Sequence, residues 1–328
     1  MLMVKLFGTG QATYFDRPVP GFPNQRASLL LCFLMLNKHA PFPRERLAAV
    51  FWEDYPSHTA RKYCRNALWR LRTQLQSAGA VPDDYLLVSD ESLAFISMSP
   101  HWLDVDEFEA SIARTQTLNG SELTPDQAAG LENTVDLYAG DLLETVYEDW
   151  CLYDRECLRL LYLAQLNKLM TYHAANQDYD LSLQFGERIL SQDNTRENIH
   201  RQMIWLYWQM GDRPSALAQY KRCAQILQEE LNLQPMEATR QLYQRVLHEP
   251  PPQVQWPEPP TRPIPARIPP AEPEAADLPL DPKVLQPMAL QALQKLQRLQ
   301  HMVEETNHEL QQIERMLQRA MSETQSNL

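Results

Sequence analysis

The chain runs to 328 residues, and its formal net charge of -12 excludes a protein that coats nucleic acid without sequence preference. Cysteines at 32, 64, 151, 157 and 223 have neither zinc-finger spacing nor a disulfide-framework pattern, so buried thiols in a reducing cytoplasm are expected. The N-terminus has no long apolar run after a basic region, and no window approaches about 18 continuous apolar residues, which argues against a secreted or membrane-spanning protein.

MVKLFGTGQATYFDRPVP opens as short alternating segments broken by glycines at 8 and 10, which predicts a small N-terminal sheet. Gly8-Thr9-Gly10 reads as a turn, because a phosphate loop needs a longer glycine pattern and a following Lys-Ser/Thr pair. QRASLLLCFLMLNKHAPFP predicts a helix from about Gln25 to Asn37. RERLAAVFWEDY gives a second, with Leu47, Val50, Phe51 and Trp52 on its buried side. A third starts near Ser57 or Thr59 after the Asp54-Tyr55-Pro56 break, and either residue is a candidate cap. Tyr85 to Val88 and Leu93 to Ser97 then flank a turn at Ser89 to Ser92 as a hairpin. A small sheet, three helices and a hairpin, in that order, describe a winged helix-turn-helix domain over residues 1–100.

The third helix stands out by charge. Thr59 to Gln76 carries Arg61, Lys62, Arg65, Arg70 and Arg72 with no acidic residue. Ala60, Cys64, Ala67, Leu68, Leu71 and Leu75 recur every three or four residues and form its buried face. Lys62, Asn66, Trp69, Thr73 and Gln76 fall on the opposite face, with Arg65 and Arg72 beside them. Such a helix can enter a DNA major groove. The whole of residues 1–100 holds 11 Lys or Arg against 8 Asp or Glu, so the acidic excess lies in the rest of the chain. That asymmetry separates a DNA-facing head from an acidic body.

Beyond Asp104 the pattern is helical, and residues 101–248 read as a helical repeat domain. The segments at Gln177-Asp178 and Gly211-Asp212 are 34 residues apart, the tetratricopeptide period. From residue 249 to 288 prolines crowd the sequence, which predicts an extended, flexible linker. Residues 289–321 return to a heptad, with Ala289, Leu296, Val303, Leu310 and Leu317 alternating with Ala292, Leu299, Thr306, Ile313 and Ala320. This predicts a coiled-coil helix that self-associates, the alternative being a single helix folded back on the body. The fold class is therefore mainly α with a small β component: winged helix, tetratricopeptide-like repeats, proline-rich linker and C-terminal coiled coil.

Several stretches together resemble a known family. QRASLLLCFLML, RERLAAVFWEDYPSHTARKYCRNALWRLRTQL and DDYLLV are followed by HWLDVDEFEA, LYAGDLLETVYEDWCLYDRECLRLL and GDRPSALAQYKRCAQILQEELNLQPMEATRQLYQRVL. In this order they are similar to the Streptomyces antibiotic regulatory protein class, which joins an OmpR-like winged helix to a bacterial transcriptional activator domain. The resemblance covers about residues 2–247. It implies that the third helix reads the major groove, that the hairpin is a wing on the adjacent backbone, and that the protein activates transcription through RNA polymerase at direct repeats near promoters. The wing here lacks the basic cluster that phosphate contact requires.

Residue chemistry then divides the candidate DNA contacts. Arg65, Asn66, Trp69 and Thr73 are the base-edge candidates, with Trp69 offering apolar contact and Asn66 and Gln76 suited to adenine. Lys62, Arg70, Arg72 and, from the second helix, Arg44 are phosphate candidates. Arg70 can alternatively pair within the domain, and Trp69 can turn inward. No enzyme motif appears: the histidines are scattered, with no HExxH or Cys/His ligand spacing, and neither a cofactor nor a metal is called for. The expected function is a sequence-specific DNA-binding transcriptional regulator, an activator on double-stranded promoter DNA, cytoplasmic and nucleoid-associated when bound. The rival is a protein-interaction adaptor whose winged helix is structural.

Overall fold

A computed structural model describes residues 1–250. The predicted coiled coil and all but the first residues of the predicted linker lie outside the described residues.

The N-terminal strands β1 (Leu2–Lys5), β2 (Gln11–Tyr14) and β3 (Arg17–Pro18) form an antiparallel meander. Glycines at 8 and 10 adopt positive φ in the β1–β2 turn, as the turn reading requires. The helices of the head are α1 (Arg26–Leu36), α2 (Arg44–Phe51) and α3 (Ser57–Ser77), with the short strand β4 (Phe42–Pro43) ahead of α2. β5 (Leu86–Val88) and β6 (Ser92–Phe95) make the hairpin, and β4 adds to β6 to give a three-stranded sheet ordered β4-β6-β5. β7 (His101–Leu103) then pairs parallel with β1, Leu2 opposite His101, and completes a sheet ordered β3-β2-β1-β7. The head's first strand thus pairs with the strand that leads into the body.

α1 is buried from Ala27 to Leu36 because it is apolar all round, the signature of a helix enclosed on every side. Neither predicted cap on α3 serves. Pro56 occupies the cap position, no side chain accepts a capping hydrogen bond, and Ser57 and Thr59 lie inside the first turn. Proline restricts the backbone there but offers no side-chain acceptor, and only its carbonyl accepts, from the amides of Thr59 and Ala60. The far end of α3 closes in a Schellman motif, with Gly79 at positive φ and the Ala80 amide donating to the Leu75 carbonyl at 2.9 Å.

The body comprises α4 (Asp104–Thr115), α5 (Pro125–Leu137), α6 (Asp149–Ala175), α7 (Tyr179–Gln192), α8 (Glu197–Gln209), α9 (Arg213–Leu231) and α10 (Glu237–His248). The 34-residue spacing read from the sequence is realised as one turn built twice. After α6, Gln177 takes positive φ, the Asp178 amide donates to the His173 carbonyl, and the Asp178 side chain caps α7. After α8, Gly211 takes positive φ, the Asp212 amide donates to the Tyr207 carbonyl, and the Asp212 side chain caps α9.

One buried apolar cluster runs from Leu2 and Leu6 through Phe33 and Phe51 to Phe108, Leu166 and Leu206, so head and body share a core. Three devices fasten the junction. The buried Asp104 carboxylate accepts from the amides of Leu6, Phe7 and Val105 at 2.8–3.0 Å. Residues 141–144 bond to the backbone of Leu6 and Gly8. Trp150 packs against Phe33 and Phe51 with ring centroids 5.5 and 5.7 Å away. No described helix is long and apolar enough to cross a membrane.

Candidate nucleic-acid interface

α3 is set by its apolar stripe. Ala60, Cys64, Ala67, Leu68, Leu71 and Leu75 are buried against α1 and α2, as the spacing predicts. The buried amide of Gln74 extends this face: it donates to Gln25 Oε1 at 2.9 Å and accepts from the Ser28 hydroxyl at 3.4 Å. With that side fixed, Lys62, Arg65, Asn66, Trp69, Arg70, Thr73 and Gln76 are all exposed.

Trp69 points outward at 67% exposure, which settles its rotational alternative. Indole that open to water is a cost unless something covers it. The Thr73 hydroxyl donates to the Trp69 carbonyl at 3.0 Å and keeps acceptor capacity toward solvent. Lys62, Arg65 and Arg70 make no ion pair among the described residues, so the intradomain salt bridge considered for Arg70 is not formed.

The remaining cations behave differently. Arg72 donates two parallel bonds to Asp83, at 2.7 and 2.9 Å, from its place on the flank of α3. Asp83 belongs to a short 3-10 turn at Pro82–Asp84. The hydrogen bonds from Arg72 hold the Asp83 carboxyl below the usual carboxylate range, and the same bonds raise the guanidinium of Arg72. Arg72 therefore spends its planar fork inside the domain. Arg44, the first residue of α2, donates its amide to the Glu91 carbonyl at 2.9 Å, and its Nε is buried without a hydrogen-bond partner.

Two features escaped the sequence reading. Arg61 pairs with Glu45 of α2 at 2.7 Å, a contact between elements that helix periodicity does not encode. Tyr55 and Tyr63 form an exposed edge-to-face pair, centroids 5.0 Å apart, beside the start of α3. The signal available for it was Tyr55 just ahead of α3 and Tyr63 in its second turn.

The hairpin tip is closed by the Ser89 amide on the Ser92 carbonyl at 3.0 Å and by the paired serine hydroxyls. Asp90 and Glu91 are exposed there, and no Lys or Arg occurs between Arg72 and Arg114. The hairpin has a wing's position without a wing's charge.

Among the described residues no group of His, Cys, Asp and Glu is arranged to hold a metal ion. All five cysteines are buried and none is in a disulfide, and burial pushes the thiols of Cys64 and Cys151 up and that of Cys223 to about 12. These are packing residues, without the thiolate character that reactivity needs.

Residues 103–247 match the bacterial transcriptional activator domain. Over 254 residues the chain is 24% identical to the transcriptional regulatory protein EmbR of Mycobacterium tuberculosis, covering 75% of this chain and 63% of that protein. Over 233 residues it is 24% identical to the transcriptional regulatory protein MoaR1 of the same organism, covering 70% and 73%. It thus spans less than two thirds of EmbR. A solved structure of M. tuberculosis EmbR, in complex with a low-affinity phosphopeptide, shares the fold at a TM-score of 0.62 and 22% identity, over 75% of this chain and 65% of that one.

Proposed function

We propose that the chain, whose residues 103–247 match the bacterial transcriptional activator domain, is a sequence-specific DNA-binding transcriptional regulator that lays α3 in the major groove. The observation that carries this reading is the outer face of α3, where Lys62, Arg65, Asn66 and Trp69 are exposed and the two cations have no acidic partner. In an acidic protein, leaving these cations unpaired beside an open indole makes sense when an anionic surface with stackable or methyl-bearing bases covers them.

Arg65, Asn66, Trp69, Thr73 and Gln76 face base edges in this arrangement, and Lys62 and Arg70 face phosphates. Arg44 contributes least, because its Nε is already buried. The head over residues 1–100 does the reading, and the body over 101–248 presents surfaces to RNA polymerase. Homo-oligomerisation through residues 289–321 and a nucleoid location when bound complete the proposal. The adaptor reading retains one observation in its favour: Leu231, Leu233 and Met236 are exposed together at the α9–α10 connection, an apolar spot suited to a protein partner.

Genome-wide mapping of the sites occupied by the full-length protein under native expression tests the regulator reading, followed by salt-dependent titration of the recovered duplexes. A shared sequence at promoters, bound with a steep salt dependence, is the expected result. Absence of duplex binding by the full chain would leave the adaptor. Lys62→Ala should flatten the slope of log affinity against log salt by about 0.9, one phosphate contact.

A further inference from the structure

α3 holds two populations of cation. Lys62, Arg65 and Arg70 are exposed and unpaired, whereas Arg61 and Arg72 lie about three turns apart on one flank, each tied to an acid from a neighbouring element. The ties differ in quality. Arg61 and Glu45 share one contact at 2.7 Å with both side chains more than half exposed. Arg72 and Asp83 meet fork to fork at 2.7 and 2.9 Å, the planar arrangement by which a guanidinium would otherwise take two phosphate oxygens.

Asp83 therefore sits where a phosphate would sit. It is delivered by folding, on a 3-10 turn whose first residue, Pro82, is buried, so holding Arg72 requires no association step. A DNA phosphate competing for Arg72 would also approach Asp83 and the exposed Asp84 with like charge. No Lys or Arg from residue 73 to 113 offsets that repulsion.

Resting on the reading of α3 as the groove helix, we propose that Asp83 limits the protein's affinity for DNA by keeping Arg72 out of the phosphate footprint. Lys62 and Arg70 then hold the phosphates from α3, with Arg65 kept for the base edges. Glu45 restrains Arg61 in the same way through its single contact. Because the restraint acts on backbone contact alone, releasing it strengthens binding to every duplex and leaves base preference unchanged.

The test is a fluorescence-anisotropy titration of the full chain against a recovered target duplex and a scrambled duplex, across a salt series. Wild type is compared with Asp83→Asn, Arg72→Ala and the double variant. Asp83→Asn should bind both duplexes more tightly and steepen the salt slope by about 0.9, so that its gain is about 3.5-fold larger at 50 mM than at 200 mM salt. Arg72→Ala should keep the wild-type slope, and the double variant should share the slope of Arg72→Ala.

A slope flattened by Arg72→Ala would show that Arg72 already grips phosphate and would overturn the proposal. So would an unchanged slope in Asp83→Asn, or weaker binding by Asp83→Asn at unchanged melting temperature, which would make the ion pair a support for α3. Wild type that binds neither duplex would overturn the groove reading itself, an outcome distinct from wild type that binds and variants that match it.

Discussion

The arginines of the body and the outward-facing pair on α3, Arg65 and Arg70, occupy opposite settings. In the body, Arg159 pairs with Glu156, Arg188 with Asp136, Arg196 with Asp193, Arg222 with Glu187 and Arg240 with Glu237. Arg155 goes further, its guanidinium donating to the carbonyls of Leu142, Leu143 and Val146 at 2.6–2.7 Å. On α3, Arg65 and Arg70 point to solvent with no acid to meet them. The same side chain is thus consumed by the fold where an acid or a run of carbonyls meets it, and held available where neither does.

The sharpest way to break this comparison is to remove a consumed arginine. Arg155→Met takes the guanidinium donor from three carbonyls in a segment where Leu143 is held at positive φ and its amide bonds to Leu6 of the head. Leaving charged-group hydrogen bonds unmade in a half-buried site should cost about 3 kcal/mol, read as a lower urea midpoint. If Arg155 belongs wholly to the fold, the salt slope of DNA binding by the folded variant should match wild type.

Arg65→Ala is the converse. Stability should stay within about 0.5 kcal/mol, because the side chain is exposed and unpaired. Discrimination at one or two base positions should fall by about 1–3 kcal/mol, measured as the affinity ratio between target and point-substituted duplexes. Equal losses on all duplexes would move Arg65 from base edge to backbone.

These two residues also show what the sequence can and cannot reveal. The exposed status of Arg65 follows from periodicity: Ala60, Cys64, Leu68, Leu71 and Leu75 fix the buried side of α3, and the rest of the helix turns with them. The same logic placed Trp69 outward. Arg72 has nearly the same local pattern, yet its partner is Asp83, beyond the end of the helix, and the pairing depends on how the chain returns after Gly79. Arg155 was hidden for the same reason, since its acceptors are backbone carbonyls in an irregular loop. The order of elements in head and body was legible because each repeats an apolar period. The shared core and the β1–β7 pairing were not, because they join residues nearly a hundred positions apart.

His200 extends the comparison to protons. It is buried in the body, with Nε2 2.9 Å from the Asn194 carbonyl and Nδ1 2.9 Å from the Gln219 amide nitrogen. That geometry suits a neutral ring donating from Nε2 and accepting at Nδ1, and burial pushes its pKa below the ordinary 6.5. A folded-state value below the unfolded one means that stabilisation is present above pH 6.5 and is lost as pH falls toward the folded value. Wild type should lose up to about 1.4 kcal/mol per pH unit in that window relative to His200→Gln, followed by melting temperature. An identical pH profile for the two proteins would remove His200 as the cause.

The smallest effect comes from the two turns that the 34-residue period builds alike. Gly211 holds positive φ with no heavy atom within 4 Å of where a Cβ would stand, so Gly211→Ala isolates backbone conformation from packing. It should destabilise by about 1 kcal/mol. Gln177 holds nearly the same conformation with a side chain attached, which already carries that strain. Gln177→Gly relieves it but enlarges the freedom of the unfolded chain, so the gain should be smaller than the Gly211→Ala loss, about 0.5 kcal/mol. Opposite signs in urea denaturation would establish the turns as equivalent in conformation and different only in how well each residue suits it, whereas a loss at both positions would mean that the Gln177 side chain is held by the body and the repeat is only formal.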